Sequence, residues 1–265
     1  MKRIIYFIPF LFFFCSFSCT KVINVNLNNA NPNIVIEGIV SDAPGPYDVK
    51  LTQTVNFSDP NSFPPVTGAT VKITDSVLGI TDVLKEVIPG TYVTQKLLQG
   101  LIGHTYQLYV LSNGQEYTAS STMPEKVSLD SVTFYSTNIF GTKSNSAIAN
   151  FQDPAGIANY YTFTEYVNGQ AINQTFNFSD RLSDGKYIRR QLFNDSSYIN
   201  PGDQVSIEMH CVDSQVWQYF NTLGQARGNN SQSITPANPL SNISNNALGY
   251  FSAQTLQIKQ AELPY

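Results

Sequence analysis

The side chains best able to act as general bases or nucleophiles are few in this sequence. It contains two histidines, His104 and His210, and three cysteines in 265 residues. Neither histidine has a cysteine or a second histidine at zinc-ligand spacing. No Gly-x-Ser-x-Gly motif and no glycine-rich phosphate loop occurs in the sequence. We therefore expect both histidines to be ordinary surface or core residues, with no catalytic residue, no metal and no cofactor.

Paired carboxylates are the one arrangement that would favour an enzyme. Asp180 and Asp184 stand four residues apart in a polar loop, while Asp153 and Asp195 stand in other loops. Two carboxyl groups that meet in space can hydrolyse a glycosidic bond, and loop oxygens can hold a calcium ion. Loop aspartates more often bond to nearby backbone and form turns. Hydrolysis and calcium binding are therefore the alternatives to a turn-forming role.

Aromatic residues crowd the second half of the chain and offer a different kind of site. Exposed rings beside Asn and Gln side chains would suit a glycan or a peptide. The residues that we assign to such a candidate ligand surface are Tyr160, Tyr161, Tyr250, Asp180 and Asp184. The alternative is structural, because aromatic residues are favoured in strands, and Trp217 and Phe220 are expected to anchor a helix on a sheet.

The N-terminus predicts export from the cytoplasm. Lys2 and Arg3 precede an apolar run over residues 4–14, which is too short to span a membrane and is typical of a signal peptide. The residues that follow, Ser16-Phe17-Ser18-Cys19, resemble a lipobox, with a small residue before the cysteine. We therefore expect cleavage after residue 18 and lipidation of Cys19. Three acyl chains would exceed the two membrane signals that stable anchoring needs.

The cysteine count and the charge both change when the leader is removed. Cys211 is then the one unmodified cysteine, so no internal disulfide is expected. Its place in an apolar alternation predicts a small buried hydrophobic residue. Loss of Lys2 and Arg3 leaves 13 basic against 19 acidic residues, a net charge of about -6. An acidic chain lacks the basic surface that binds phosphates, so nucleic acid is excluded as a partner.

The remaining chain shows the period-two alternation that is typical of half-buried strands. Asn113-Gly114 and Asn168-Gly169 are strong signals for two-residue hairpins. Helical spacing occurs only after Asp213, which is a plausible N-cap. We predict a mainly β protein with a lipidated tether over residues 19–33, an Ig-like or transthyretin-like β-sandwich over 34–124, and a second β-sandwich domain over 125–265. The second domain carries one helix at about 213–226.

Several segments of the chain resemble the Bacteroidota lipoprotein family known as domain of unknown function 4249 (DUF4249). The resemblance covers residues 19–27, 34–38, 65–74, 89–92, 103–106, 153–161 and 201–203, and it is most specific in Ser-Asn-Ile-Ser-Asn-Asn-Ala-Leu-Gly-Tyr-Phe-Ser-Ala at 241–253. Asn245 and Asn246 stand where the family more often has two glycines. Asn tolerates positive φ better than most residues, so the turn can be kept.

The family is usually encoded beside TonB-dependent transporters, and the resemblance carries no established activity. The expected function is therefore a non-enzymatic accessory binding protein, anchored to the outer membrane through the lipid on Cys19 and associated with such a transporter. The alternatives are a carbohydrate-active hydrolase and an adhesin or appendage subunit. No acidic residue follows Cys19 directly, which slightly favours a periplasmic-facing position over the cell surface.

Overall fold

The computed structural model describes residues 32–56, 62–97, 99–139, 142–193, 199–226 and 238–265. The predicted signal peptide, Cys19, most of the tether and Asp195 lie outside the described residues. Within them the protein is mainly β with one α-helix, which confirms the predicted fold class. In the described part of the chain, no helix is long and apolar enough to cross a membrane.

Eight strands in the first half build a two-layer sandwich. They are β1 (Ile34–Ser41), β2 (Asp48–Gln53), β3 (Thr70–Asp75), β4 (Ile80–Val83), β5 (Lys85–Ile88), β6 (Thr91–Val93), β7 (Thr105–Ser112) and β8 (Gln115–Thr122). One sheet has the order β4-β3-β7-β8. It packs on β1, β2, β5 and β6 around a core that includes Leu51, Tyr92, Tyr106 and Leu108.

The second half supplies seven strands and the helix. They are β9 (Leu129–Ile139), β10 (Thr142–Gln152), β11 (Tyr160–Val167), β12 (Gln170–Ser179), β13 (Tyr187–Gln191), β14 (Gln204–Val212), α1 (Ser214–Ala226) and β15 (Leu248–Glu262). The sheet β13-β10-β9 faces β11, β12 and β14. A second core that includes Phe151, Tyr161, Phe163, Met209 and Cys211 lies between them.

The last strand, β15, belongs to both halves. It pairs in parallel with β1 and antiparallel with β14, so one eight-stranded sheet of order β12-β11-β14-β15-β1-β2-β6-β5 crosses residue 124. Phe251 and Ala253 of β15 lie in the first core, whereas Leu263, just after the strand, lies in the second. The two cores are therefore distinct, but one sheet runs through both halves of the chain.

The local turn signals are found in the structure. Asn113 and Asn168 have φ of 50° and 49°, each followed by a glycine with positive φ. Asn245 and Asn246 also hold positive φ, at 55° and 57°. Positive φ at both central positions is what a type I′ hairpin requires. The sequence thus predicts these turns because the chemistry that forms them is local.

The helix begins where the sequence predicts. The Oδ1 of Asp213 accepts hydrogen bonds from the backbone N–H groups of Gln215 and Val216, both at 2.9 Å. An N-cap carboxylate satisfies N–H groups that have no partner inside the helix. The other carboxylate oxygen accepts a hydrogen bond from the Ser121 hydroxyl of β8. The cap therefore also ties α1 to the first sandwich.

The segment over residues 80–88 is divided between two strands, β4 and β5. Leu84 turns inward, is 6% exposed and donates its N–H to the Val71 carbonyl at 2.9 Å. The chain thereby passes from β4 in one sheet to β5 in the other. Strand β13 was not predicted, because its sequence Tyr-Ile-Arg-Arg-Gln alternates only weakly.

We expect Gly249→Ala to reduce the free energy of unfolding by several kcal/mol. Gly249 has a φ of +92°, and a Cβ there would lie 2.0 Å from the Ile36 carbonyl oxygen. A non-glycine residue pays about 1–2 kcal/mol for a left-handed backbone alone, and the collision adds to that cost. Urea denaturation followed by circular dichroism measures the loss.

Gly224→Ala is the matched control for this substitution. Gly224 lies in α1, and a Cβ there meets nothing within 4 Å. Helix propensity predicts a gain of up to about 1 kcal/mol. Equal unfolding midpoints for the two variants would contradict the close approach of β15 to β1.

Candidate functional site

Three carboxylates converge at one end of the second core. Asp153 follows β10, Asp180 begins a single 3₁₀ turn after β12, and Asp184 lies four residues further in the same loop. One oxygen from each lies within 4.8 Å of the others. Asp153 and Asp180 are 1% and 3% exposed, and Asp184 is exposed. Asp180 and Asp184 are therefore close together, as the sequence allowed, and Asp153 joins them from another loop.

Each of these carboxylates accepts a backbone hydrogen bond from the opposite loop. Asp180 Oδ2 accepts the N–H of Asn159 at 2.8 Å, and Asp184 Oδ1 accepts that of Gly156 at 2.8 Å. Asp153 Oδ2 accepts the N–H of Gly185 at 3.0 Å. Loops have no ladder partners for such N–H groups, and an unpaired one is costly to bury. The aspartates thus clasp the loop over 153–159 to the loop over 180–186.

Tyr161 completes this cluster from inside the core. Its hydroxyl donates to Asp153 Oδ1 at 2.5 Å, and its ring is fully buried, 4.9 Å from that of Phe151. Burial, followed by the bond to Asp153, raises the pKa of Tyr161 well above its usual value. The phenol therefore stays protonated and acts as a fixed donor to the carboxylate.

The cluster offers oxygen ligands only, a set that suits a hard cation such as calcium. Its oxygens, within 4.8 Å of one another, lie slightly closer together than the carboxyl groups of a retaining glycosidase, which are about 5–5.5 Å apart. However, the oxygens already serve backbone donors, and two of the three side chains are buried. The arrangement is well suited to holding two loops together.

The three tyrosines of the predicted ligand surface lie in different environments. Tyr161 is in the core, whereas Tyr160 and Tyr250 lie on the opposite face of the sheet, beneath α1. The Tyr160 ring centroid is 5.5 Å from that of Trp217. The Tyr250 ring is 4.9 Å from Tyr219 of the helix, and burial raises the pKa of Tyr250. These contacts assign the two rings to helix packing, and a ligand role for the set stays a prediction.

A groove that the sequence did not single out lies on the same outer sheet face, away from the helix. Its volume is about 430 Å³, and its lining includes Tyr166, Ser206, Glu208, Ile258 and Gln260. Strand register brings these residues together, because Ser206 pairs with both Tyr166 and Gln260, and Glu208 pairs with Ile258. The signal was the alternation itself, which places even-numbered residues of β11, β14 and β15 on one face.

The groove combines an aromatic ring, an exposed aliphatic side chain and one carboxylate. The Tyr166 hydroxyl donates to Glu208 Oε2 at 3.1 Å, and Ile258 is 48% exposed. Burial, followed by the charge of Glu208, raises the pKa of Tyr166. Amide and hydroxyl groups of Gln204, Ser206 and Gln260 complete the lining. Such a mixture of an apolar base with polar groups is typical of sites for small polar ligands.

The histidines and the described cysteine serve the fold. His104 Nδ1 lies 2.8 Å from Asp75 Oδ2, and Asp75 Oδ1 accepts the N–H groups of Val77 and Leu78. Burial opposes ionisation of Asp75, but these hydrogen bonds outweigh it and lower its pKa. Burial lowers the pKa of His210 to about 4 and raises that of the Cys211 thiol. At neutral pH both groups are therefore uncharged.

Comparison with known proteins gives a family but no activity. The profile of the family described as "Domain of unknown function (DUF4249)" matches residues 20–260. No curated protein matches the chain. Among solved structures, a two fibronectin type-III domain segment from chicken tenascin is similar at 15% identity, with a TM-score of 0.21, over 69% of this chain and 91% of that one.

We expect Tyr161→Phe to lower the free energy of unfolding by about 1–3 kcal/mol, the cost of leaving a buried acceptor without its donor. The phenylalanine ring keeps the packing against Phe151, so the change isolates the bond to Asp153. Tyr187→Phe is the control, because Tyr187 is 52% exposed and such surface changes stay within about 0.5 kcal/mol. Denaturant titration of both variants measures the difference; equal stabilities would mean that the clasp does not depend on the phenol.

Proposed function

Because the chain belongs to the DUF4249 family, whose description carries no activity, we propose its function from its own residues. It is a non-enzymatic binding protein, anchored to the outer membrane through a lipid on Cys19. It serves as an accessory component of a TonB-dependent transporter, facing the periplasm. The observation that carries the binding role is the groove of β11, β14 and β15.

The anchor rests on the order of residues at the N-terminus. The processing of a lipoprotein precursor depends on three features that are present here: a basic start, a short apolar run and a small residue, Ser18, before Cys19. Stable attachment then needs more than one acyl chain, which a modified N-terminal cysteine supplies. Twelve residues lie between Cys19 and Pro32, the first described residue. This segment is long enough to let the folded body lie outside the bilayer.

A non-enzymatic role is supported by how the potential catalytic groups are used. His104 braces a turn through Asp75, and His210, whose pKa burial lowers to about 4, is uncharged at neutral pH. Asp153 and Asp180 are almost fully buried and bound to backbone donors. A general acid or base must reach the atom whose proton it transfers, and the two aspartates are committed to the interior.

The groove supports a small polar ligand, either a glycan or an extended peptide. Tyr166 and Ile258 offer apolar surface against which a sugar ring or an aliphatic side chain can pack. Gln204, Ser206 and Gln260 offer donors and acceptors that fix its orientation. Neither ligand needs a strong charge, which agrees with a lining that holds one acidic side chain, Glu208.

A second candidate is a carbohydrate-active hydrolase that uses Asp180 and Asp184. The observation in its favour is their proximity, with oxygens within 4.8 Å. The burial of Asp180 is against it, because a nucleophile must contact the anomeric carbon. Release of reducing sugar that Asp184→Asn abolishes, without loss of stability, would favour this candidate over the binding protein.

We expect cells fed radioactive palmitate to label the protein, and Cys19→Ala to abolish that labelling. The reason is that Cys19 would be the acceptor of all the acyl chains. Cys15→Ala is the control, since Cys15 lies in the leader and is removed with it. Unchanged labelling of the Cys19→Ala chain would exclude the proposed anchor.

We also expect a TonB-dependent transporter to copurify with the protein from native membranes, and Ile258→Arg to reduce the recovery at least tenfold. An arginine there fills the groove with a long charged side chain, which lies opposite Glu208 and removes the apolar surface of Ile258. Leu240→Arg is the control, because Leu240 is similarly exposed, at 52% against 48% for Ile258, and does not line the groove. Equal recovery of the transporter with both variants would show that the transporter does not bind at the groove. No recovery with the parent chain would exclude the association itself.

A further inference from the structure

An apolar tip is formed where the described chain begins. Phe63, Val87 and Ile88 are 53%, 52% and 62% exposed, and Pro64 and Pro89 are exposed beside them. These five residues are called the tip below. Large apolar side chains that are exposed together mark interaction surfaces more often than chance.

Backbone contacts bring the two segments of the tip together. The Gln53 N–H donates to the Pro64 carbonyl at 2.9 Å, and the Leu51 N–H donates to the Gly90 carbonyl at 2.8 Å. Gly90 lies so close to Pro65 that a Cβ on it would be 2.8 Å from that ring. The loop that carries Phe63 and the turn that carries Ile88 therefore lie side by side at the end of β2.

A carboxylate keeps this end rigid. Glu86 Oε1 accepts the Gly90 N–H at 3.0 Å, and Oε2 accepts the Gly68 N–H at 2.9 Å. The bond from Gly68 and then that from Gly90 lower the pKa of Glu86. The turns at Gly68 and Gly90 are thus held by hydrogen bonds to Glu86. The apolar side chains of Val87 and Ile88 remain exposed beside them.

The N-terminal segment leaves the folded body at the same end. Asn33 donates its N–H to Thr54 Oγ1 at 2.9 Å, and its carbonyl accepts the Thr54 N–H at 2.9 Å. Thr54 directly follows Gln53, which bonds to Pro64. The tip therefore lies close to the first described residues, which are linked to it through Gln53 and Thr54.

We propose that the tip docks on the lipid surface of the membrane to which Cys19 is anchored. This inference rests on the proposed function, because the lipidation of Cys19 is what brings the membrane close to the tip. The chain from Cys19 to Pro32 spans at most about 45 Å when fully extended, so the anchor keeps this end of the body near the bilayer. Tethering raises the local concentration of lipid at the tip, and apolar side chains gain by leaving water at the interface.

The acyl chains, not the tip, dominate attachment, so the tip determines orientation. The test must therefore report on depth in the bilayer and not on the fraction of protein bound. Single tryptophans are introduced as Phe63→Trp and Ile88→Trp in the full mature chain. Trp217 is the one native tryptophan, and the parent chain measures its constant contribution.

Leu78→Trp is the matched control. Leu78 is 54% exposed, similar to Phe63, and it follows Asp75 at the opposite end of β3. At that end the Ser76 N–H donates to the Thr105 carbonyl at 2.9 Å. The control thus has equal apolar exposure in the same sandwich, away from the chain's N-terminal end.

The chains are reconstituted in vesicles of phosphatidylethanolamine and phosphatidylglycerol, with and without brominated lipid. We expect the tryptophans at 63 and 88 to shift to shorter wavelength and to be quenched several-fold more than the tryptophan at 78. Quenching at 63 and 88 no greater than at 78 would overturn the proposal, because the tip would then contact a protein or remain in water and not lie in the lipid.

A second format separates this result from the anchor itself. The unacylated mature chain is coupled through the Cys19 thiol to a maleimide lipid, while Cys211 stays unreacted because it is buried. The same pattern of quenching is expected. A failure of palmitate labelling would then exclude the natural anchor alone, and a failure of quenching in the coupled chain would exclude the tip alone.

Discussion

The close approach of β15 to β1 is the constraint on which the rest of the structure depends. At Gly249 the two backbones lie too close for any side chain, and from there β15 continues as one strand into the second core. The junction is fastened further by Asp42, whose carboxylate accepts the Leu256 N–H at 2.7 Å and pairs with Lys126 at 2.7 Å. The two halves are therefore joined by a hydrogen-bonded ladder, and the groove keeps a fixed orientation relative to the first sandwich.

Carboxylates serve this protein mainly as acceptors for loop backbone. Asp82 Oδ2 alone accepts the N–H groups of three successive residues, 95–97, at 2.6–2.8 Å. Asp75, Asp180 and Glu86 hold other turns in the same way. With 13% charged residues in the chain, a large share of the acidic groups is used to fix loops between strands. A pair of acidic residues in the loops of such a sequence is therefore better explained by hydrogen bonds to the loop backbone than by catalysis.

Features that depend on local chemistry could be predicted, and those that depend on distant pairing could not. The Asn-Gly hairpins and the Asp213 cap each follow from a few adjacent residues. Alternation places Tyr160 and Tyr161 on opposite faces of a strand, but it does not say which of them faces the core. The parallel pairing of β15 with β1 joins residues more than 200 positions apart, and no pattern within either strand names its partner. The groove and the approach of Asp153 to Asp180 follow from such pairings, so the sequence could not predict them.

The same long strand sets the distance between the two proposed surfaces. Leu248, at the start of β15, pairs with Val35 near the tip, and Gln260 lines the groove. Gln260 lies twelve positions after Leu248, which corresponds to about 40 Å of extended strand. A body docked at its tip would hold the groove well away from the lipid headgroups, where a ligand or a transporter can reach it. The proposed anchor would also account for the low fraction of charged residues, because a protein held at a membrane does not need net charge to remain dispersed in solution.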